Sequence, residues 1–130
     1  MAAIVGDKPA ERKLVGNANF VMHNPKSDKF DMERFHHVEF WCTDAENASK
    51  RFMFGMGLNI VAKSDLTTGN RKYASYVTQS GELTFAFTAA YSKHLDQEGS
   101  AEPHPGFEHD RLNAFVAKHG LAVRAVGIRV

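Results

Sequence analysis

The chain of 130 residues is long enough for one domain, and a hydrophobic content of 43% is sufficient to form a core. Its 16 basic and 15 acidic residues give a net charge of +1 and form no basic block, which argues against nucleic acid or an anionic membrane as a partner. No apolar run is long enough to span a bilayer. The single cysteine, Cys42, excludes an internal disulfide and fits a reducing compartment, so we expect a cytoplasmic protein.

The first 33 residues show little periodicity and are predicted to form an N-terminal arm, disordered over residues 1–15 and irregular over residues 16–33. The arm carries Asp7 and Glu11 and has no continuous apolar segment. It is therefore not expected to act as a signal peptide or as an organelle transit peptide.

The segment RFHHVEFWC, residues 34–42, is rich in aromatic residues and predicts the first strand. Its two adjacent histidines and its glutamate are residue types that bind transition metals, so the strand is also the first candidate for a metal site. Strict alternation gives two faces: Phe35, His37, Glu39 and Trp41 on one, and His36, Val38, Phe40 and Cys42 on the other.

A helix is predicted directly after this strand, over residues 43–57. Thr43 and Glu46 match a capping box, in which Thr43 caps the helix and Glu46 reaches back to it. Gly57 marks the C-terminal end, where left-handed backbone is needed. The apolar face of the helix is predicted to contain Ala45, Ala48, Phe52 and Met56.

Three further strands are predicted over residues 58–63, 72–79 and 83–89, with a polar loop at 64–70 and a tight turn at Ser80-Gly81. In the last of these strands, period-two alternation places four apolar residues on one face: Leu83, Phe85, Phe87 and Ala89. The local order is therefore β-α-β-β-β.

A polar connector follows over residues 91–105, and then a helix over residues 106–119 that ends at Gly120. The apolar side of this helix is predicted to contain Phe107, Leu112, Phe115 and Val116. A final strand is predicted over residues 121–130, where the sequence stops without a turn.

The segment VRAVGIRV, residues 123–130, can be aligned with FHHVEFWC, residues 35–42. The apolar positions match, whereas Ala125 falls on His37 and Gly127 on Glu39. This weak repeat suggests that a second β-α-β-β-β unit begins here. The predicted organisation is an arm (1–33), a first module (34–90), a connector (91–105), and the helix and first strand of a truncated second module (106–130).

Several segments together resemble the N-terminal part of plant-type 4-hydroxyphenylpyruvate dioxygenase, over roughly residues 14–130. They occur in the order of that family, and RFHHVEFWC followed by AKSDLTTGN is the most specific combination. Ala90 and the connector at 92–105 depart from the family pattern. The segments are NPKSDKF, RFHHVEFWCTDA, AKSDLTTGN, ASY with a downstream SG, FTAAY and KHGLAVRAV.

The resemblance implies an α+β vicinal oxygen chelate fold, related to glyoxalase, in which β-α-β-β-β modules pair. It also implies a parent enzyme about three times this length, which converts 4-hydroxyphenylpyruvate and O2 to homogentisate and CO2 in tyrosine breakdown and in plastoquinone and tocopherol synthesis. In that family Fe(II) is held by two histidines and a glutamate of the C-terminal domain. We therefore expect an incomplete half-barrel that holds no cofactor and is inactive alone.

The resemblance also bears on whether residues of the first strand are metal ligands. A facial ferrous site needs two histidines and a carboxylate from different strands. His37 occupies a ligand position of the superfamily, but the partner-strand position holds Ala125, and residues 83–89 contain no histidine or acid. His37 and Glu39, roughly 6–7 Å apart at Cα, do not close a site. A structural role is favoured for His37, and His36 is expected to pack on the first helix or to hydrogen-bond nearby.

The other candidates are weaker. His94, His104 and His109 lie in or beside the connector, and His119 ends a helix, where a positive charge suits the dipole. Cys42 has no catalytic partner motif, and residues 67–70 lack the spacing of a phosphate loop. Phe85 and Phe87 are predicted to belong to the core. No catalytic, cofactor-binding or metal residue is assigned.

Three functions remain open at this level. The favoured one is the N-terminal, non-catalytic part of a 4-hydroxyphenylpyruvate dioxygenase, which associates with itself or with the missing C-terminal domain. The second is a one-module metalloenzyme that completes its site as a dimer, with His37 from each subunit. The third is a module that binds a small apolar ligand in its open half-barrel.

Overall fold

The computed structural model describes residues 31–95, 104 and 106–130. The predictions for residues 1–30 and for most of the connector lie outside the described residues. Within these ranges, neither helix is long and apolar enough to cross a membrane. The elements are β1 (Arg34–Trp41), α1 (Ala45–Met56), β2 (Asn59–Ser64), β3 (Tyr73–Ser80), β4 (Leu83–Ala90), α2 (His109–His119) and β5 (Ala122–Arg129), with 3-10 turns at Leu66–Thr68 and Lys93–Leu95.

The predicted β-α-β-β-β order is confirmed, followed by one helix and one strand. The five strands form one sheet in the order β2-β3-β4-β1-β5. β1 runs parallel to β4, and the remaining neighbours are antiparallel. The hairpin between β3 and β4 turns at Gly81, whose φ of 57° suits a residue without a side chain. β1 thus lies between β4 and β5 and joins the first module to the last strand.

The core lies between α1 and one face of the sheet. Phe87 is fully buried and its ring stacks on Phe40 at 5.3 Å, while Phe52 of α1 approaches the same ring to 4.8 Å. Phe85 completes this aromatic cluster, so the predicted core role of Phe85 and Phe87 is confirmed. Ala45, Ala48 and Cys42 are also buried here, because their small side chains let α1 approach the strands closely.

The N-terminus of α1 differs from the prediction. Asp44 is the N-cap: its backbone is extended, and its carboxylate accepts a hydrogen bond from the Asn47 backbone N–H at 2.9 Å. Thr43 is therefore not the cap, and Glu46 pairs with Lys50 at 2.6 Å instead of reaching back. Thr43 and Asp44 are adjacent capping residues, and Asp44 takes the position; its carboxylate also accepts a hydrogen bond from the Asn47 side-chain amide at 2.5 Å.

Other predicted positions also need correction. Met56, the last residue of α1, is 55% exposed and so does not belong to the buried side of the helix. The second helix begins at His109, and Phe107 precedes it. The C-terminal ends are as predicted: Gly57 is left-handed at the end of α1, and Gly120 caps α2.

A bulge in β1 changes which residues share a face. Phe35 pairs with Ile128 and His37 with Gly127, so two residues of β1 advance against one of β5. Consecutive residues of β5 point to opposite faces of the sheet. Phe35 therefore lies on the opposite face from His37, which corrects the simple alternation.

Candidate binding cavity on the open face of the sheet

A cavity of about 540 Å³ lies on the face of the sheet opposite α1. Its floor includes His37, Glu39 and Trp41, three of the four residues that alternation assigned to one face of β1. α2 borders the cavity on one side, since the ring of Phe115 meets that of Trp41 at 5.5 Å. The other lining residues are Ser64, Tyr73, Ser75, Ala86, Thr88, His104, Gly106, Phe107, Arg111, Arg124 and Ala125.

Glu39 is fixed at the floor of the cavity by two donors. The Thr88 hydroxyl donates to its Oε1 at 2.9 Å, and the Trp41 indole N–H donates to the same oxygen at 3.2 Å. Thr88 in turn contacts the Ser75 hydroxyl at 3.2 Å. The network joins β1, β4 and β3, so this carboxylate serves to hold the floor together.

His37 lies directly over the backbone of β5. A Cβ on Gly127 would be 2.3 Å from Nδ1 and Cε1 of the imidazole, so the ring occupies the space that the glycine leaves. Nδ1 of His36 approaches Nδ1 of His37 to 2.9 Å, and one of these nitrogens must carry the hydrogen that the other accepts. His36 thus hydrogen-bonds its neighbour and is exposed rather than packed on α1.

The donor set around His37 does not fit a ferrous site. The β5 residues paired with His37 and Glu39 are Gly127 and Ala125, which supply no ligand. β4 contains no histidine, aspartate or glutamate. Over residues 31–95, 104 and 106–130 there is no group of three histidine, cysteine or acidic side chains that could hold a metal ion.

The remaining histidines are spread over the molecule. Of these, His104 lines the cavity with His37. His119 packs on Phe115 at 4.9 Å at the end of α2, and His109 meets Phe107 at 5.2 Å. His94 lies in the turn at Lys93–Leu95. The cavity therefore contains His104 together with His37 and Glu39 of β1, whereas His94, His109 and His119 do not line it.

Cys42 is a core residue. It is 3% exposed, and its thiol lies 3.6 Å from the carbonyl oxygen of Thr88. Burial raises the pKa of the Cys42 thiol to about 11, because desolvation disfavours the thiolate. The thiol therefore stays protonated near neutral pH.

A second polar cluster was not anticipated from the polar loop at 64–70. Asp65 caps the turn at Leu66–Thr68, with the Thr67 backbone N–H at 2.9 Å, and accepts a hydrogen bond from the Tyr76 hydroxyl at 3.1 Å. The Thr67 hydroxyl, with help from Lys63 and Tyr76, lowers the pKa of Asp65 to about 2. Burial, and then the bond to Asp65, raises the pKa of Tyr76 to about 12. This cluster holds the loop against β3.

Sequence reasoning did not single out several residues of the cavity, among them Tyr73, Arg111 and Arg124. The guanidinium of Arg124 lies 4.7 Å from the centre of the Trp41 ring. Arg124 stands between apolar residues of β5, and this was the available signal for a charged residue beside the cavity.

Solved structures place this geometry in a known class. A mutant of 4-hydroxymandelate synthase from Streptomyces coelicolor matches 77% of this chain and 26% of its own, with a TM-score of 0.57 at 21% identity. Methylmalonyl-CoA epimerase from Mycobacterium tuberculosis matches 76% of this chain and 56% of its own, with a TM-score of 0.51 at 16% identity. The fold is that of vicinal oxygen chelate proteins, in the form of an incomplete half-barrel module.

Sequence similarity to curated proteins points to one enzyme within this class. The 4-hydroxyphenylpyruvate dioxygenase of Plectranthus scutellarioides is 57% identical over 129 residues, which are 99% of this chain and 29% of the relative. That of Arabidopsis thaliana is 52% identical over 123 residues, or 91% of this chain and 27% of the relative. The chain matches the N-terminal region of plant 4-hydroxyphenylpyruvate dioxygenases and spans less than a third of their length, so the resemblance is confirmed. No protein-family model matches the chain.

Proposed function

We propose that the chain is the non-catalytic N-terminal part of a 4-hydroxyphenylpyruvate dioxygenase. The observation that carries the proposal is the 57% identity to such an enzyme over 99% of the chain. The parent reaction converts 4-hydroxyphenylpyruvate and O2 to homogentisate and CO2 in tyrosine breakdown, with Fe(II) bound by the C-terminal domain. The glycine opposite His37 supports a scaffold role for this region, since it offers no second ligand. A cytoplasmic location is part of the proposal.

An activity assay tests the non-catalytic role. The purified chain is supplied with Fe(II), ascorbate and 4-hydroxyphenylpyruvate, and homogentisate is measured against a protein-free blank. No product above the blank is expected, whereas the Arabidopsis relative, as positive control, turns over. Turnover that is lost in a His37→Ala variant would contradict the proposal and support a dimeric metalloenzyme.

A chimera tests whether the chain is part of a 4-hydroxyphenylpyruvate dioxygenase. The matching region of the Arabidopsis relative is replaced by this chain, and dioxygenase activity is measured. The chimera should retain activity, because the two segments are 52% identical over 123 residues. An unrelated domain of similar length in the same place should abolish activity. A folded chimera without activity would count against the proposed parentage.

We further propose that β5 pairs with the remainder of the parent enzyme, or with a second copy when the chain is alone. β5 is an edge strand, and its Val123, Val126 and Ile128 are each nearly half exposed. Exposed apolar edges recruit other strands. Val126→Lys should lower the light scattering of the concentrated chain, whereas Val61→Lys on the opposite edge strand should not. Monomeric behaviour of the unaltered chain would contradict this pairing.

A further inference from the structure

The charges around the cavity are unbalanced. Arg111 of α2 and Arg124 of β5 both line it, whereas its carboxylate, Glu39, is already bound by the Thr88 hydroxyl and the Trp41 indole. Among the residues that the structure describes, neither arginine has an ion-pair partner. Two guanidinium groups against the one carboxylate of Glu39 leave a positive charge in excess at this concave surface, which favours an anion.

The walls of the cavity are aromatic. Trp41, Tyr73 and Phe107 line it, and the rings of Tyr73 and Phe107 meet at 4.4 Å. Trp41 is held on three sides: its N–H donates to Glu39, Phe115 meets its ring edge-on, and Arg124 stacks on its face. Stacking fixes the plane of the Arg124 guanidinium and leaves its N–H groups free to donate in that plane.

We propose that this cavity binds a small organic carboxylate with a flat apolar body. Arginine recognises a carboxylate through two parallel hydrogen bonds, and aromatic walls accept a flat group by stacking. The volume of about 540 Å³ is within the range of small-molecule sites. The proposed site rests on residues of this chain alone.

The tryptophan provides a direct readout. The chain contains one tryptophan, Trp41, so its fluorescence, excited selectively, reports on the cavity. Three probes are titrated at neutral pH: benzoate, its neutral isostere benzamide, and the non-planar cyclohexanecarboxylate. Binding should quench the fluorescence in a saturable way. The affinity is expected to be highest for benzoate, lower for cyclohexanecarboxylate, and lowest for benzamide.

Variants then identify the residues responsible. Arg111→Met and Arg124→Met should each weaken benzoate binding about tenfold, because each removes a charge-assisted hydrogen bond. Arg71→Met, on an exposed loop, is the matched control and should bind as the unaltered chain does. Circular dichroism melts check that each variant is folded. Since Arg124→Met also alters the fluorescence of Trp41 itself, Arg111→Met is the decisive variant.

The outcomes separate clearly. Charge-selective binding that is lost in folded Arg111→Met supports the proposal. Equal affinity for benzoate and benzamide, an undiminished affinity in Arg111→Met, or no saturable quenching would each overturn it. The activity assay and the chimera described above do not depend on this site, so the proposed parentage can fail or hold separately.

Discussion

The two faces of the sheet are built from the same strands and behave differently. On the α1 face, Phe40, Phe85 and Phe87 close against Phe52, and Phe87 is fully buried. On the opposite face, Glu39, Ser75 and Thr88 form a hydrogen-bonded floor under an open cavity. One face therefore supplies the stability of the fold, and the other is available for binding.

Alternation along the strands produces this difference. Successive residues of β4, such as Phe87 and Thr88, point to opposite faces, so one strand serves the packed core and the polar floor together. Apolar burial is the dominant source of stability, whereas a polar floor contributes mainly through satisfied hydrogen bonds. Substitutions on the two faces should therefore change the free energy of unfolding by different amounts and through different interactions.

The largest difference is expected between two phenylalanines. Phe87→Ala should lower the free energy of unfolding by about 3–5 kcal/mol, because it opens a cavity in a fully packed core. Phe107→Ala, on the open face, should cost only about 1 kcal/mol, since the ring is half-buried and its one aromatic contact besides His109 is with Tyr73. Urea unfolding followed by circular dichroism measures both. Equal losses would show that the open face is also a packed core.

Glycines on the two faces give the next contrast. Gly127→Ala should destabilise the fold by about 1–3 kcal/mol, because the new Cβ would lie 2.3 Å from two ring atoms of His37. Gly55→Ala, within α1 and with no atom within 4 Å of the new Cβ, should instead stabilise by about 0.5–1 kcal/mol.

A double-mutant cycle checks the cause of the Gly127 effect. In a His37→Ala background, Gly127→Ala should lose most of its cost, because the imidazole no longer occupies the space. An unchanged cost in that background would assign the effect to the backbone of β5 instead of to His37.

A feature of the fold or of the cavity could be predicted from the sequence only where it depends on contacts between residues close together in the chain. The strands, the hairpin and α1 were predictable because alternation and helical spacing are written in neighbouring residues. The position of Phe35 was not, since the bulge beside it depends on the register with β5, almost a hundred residues later. Arg111 and Arg124 likewise lie on separate elements, and only packing brings them to one cavity.

The N-cap of α1 shows that a local feature can also be predicted wrongly from the sequence. Thr43 and Asp44 are both capping residues, and the sequence pattern favoured Thr43 through Glu46. The structure selects Asp44, whose carboxylate accepts from Asn47. Choosing between two adjacent caps requires the backbone angles, which the order of residues does not reveal.

This cap also supports the packed face, because α1 is the layer that covers it. Asp44→Ala should lower the free energy of unfolding by about 0.5–2 kcal/mol, since the Asn47 backbone N–H loses its acceptor. Thr43→Ala is the matched control and should cost much less. The reverse order of the two effects in urea unfolding would restore Thr43 as the cap.

A stabilising effect is expected at a threonine of the packed face whose hydroxyl is unsatisfied. Thr78 is fully buried and pairs with Phe85, and its hydroxyl has no hydrogen-bond partner among the residues described. Thr78→Val should therefore stabilise the fold, by about 1 kcal/mol, because it removes a buried polar group and keeps the shape of the side chain.

The same substitution on the open face should have the opposite sign. The Thr88 hydroxyl donates to Glu39 and contacts Ser75, so Thr88→Val leaves a carboxylate oxygen without one of its donors. Urea unfolding of the two valine variants measures the sign directly. If Thr78→Val destabilised the fold, the Thr78 hydroxyl would have a hydrogen-bond partner. The contrast between an apolar face and a hydrogen-bonded face would then not hold at Thr78.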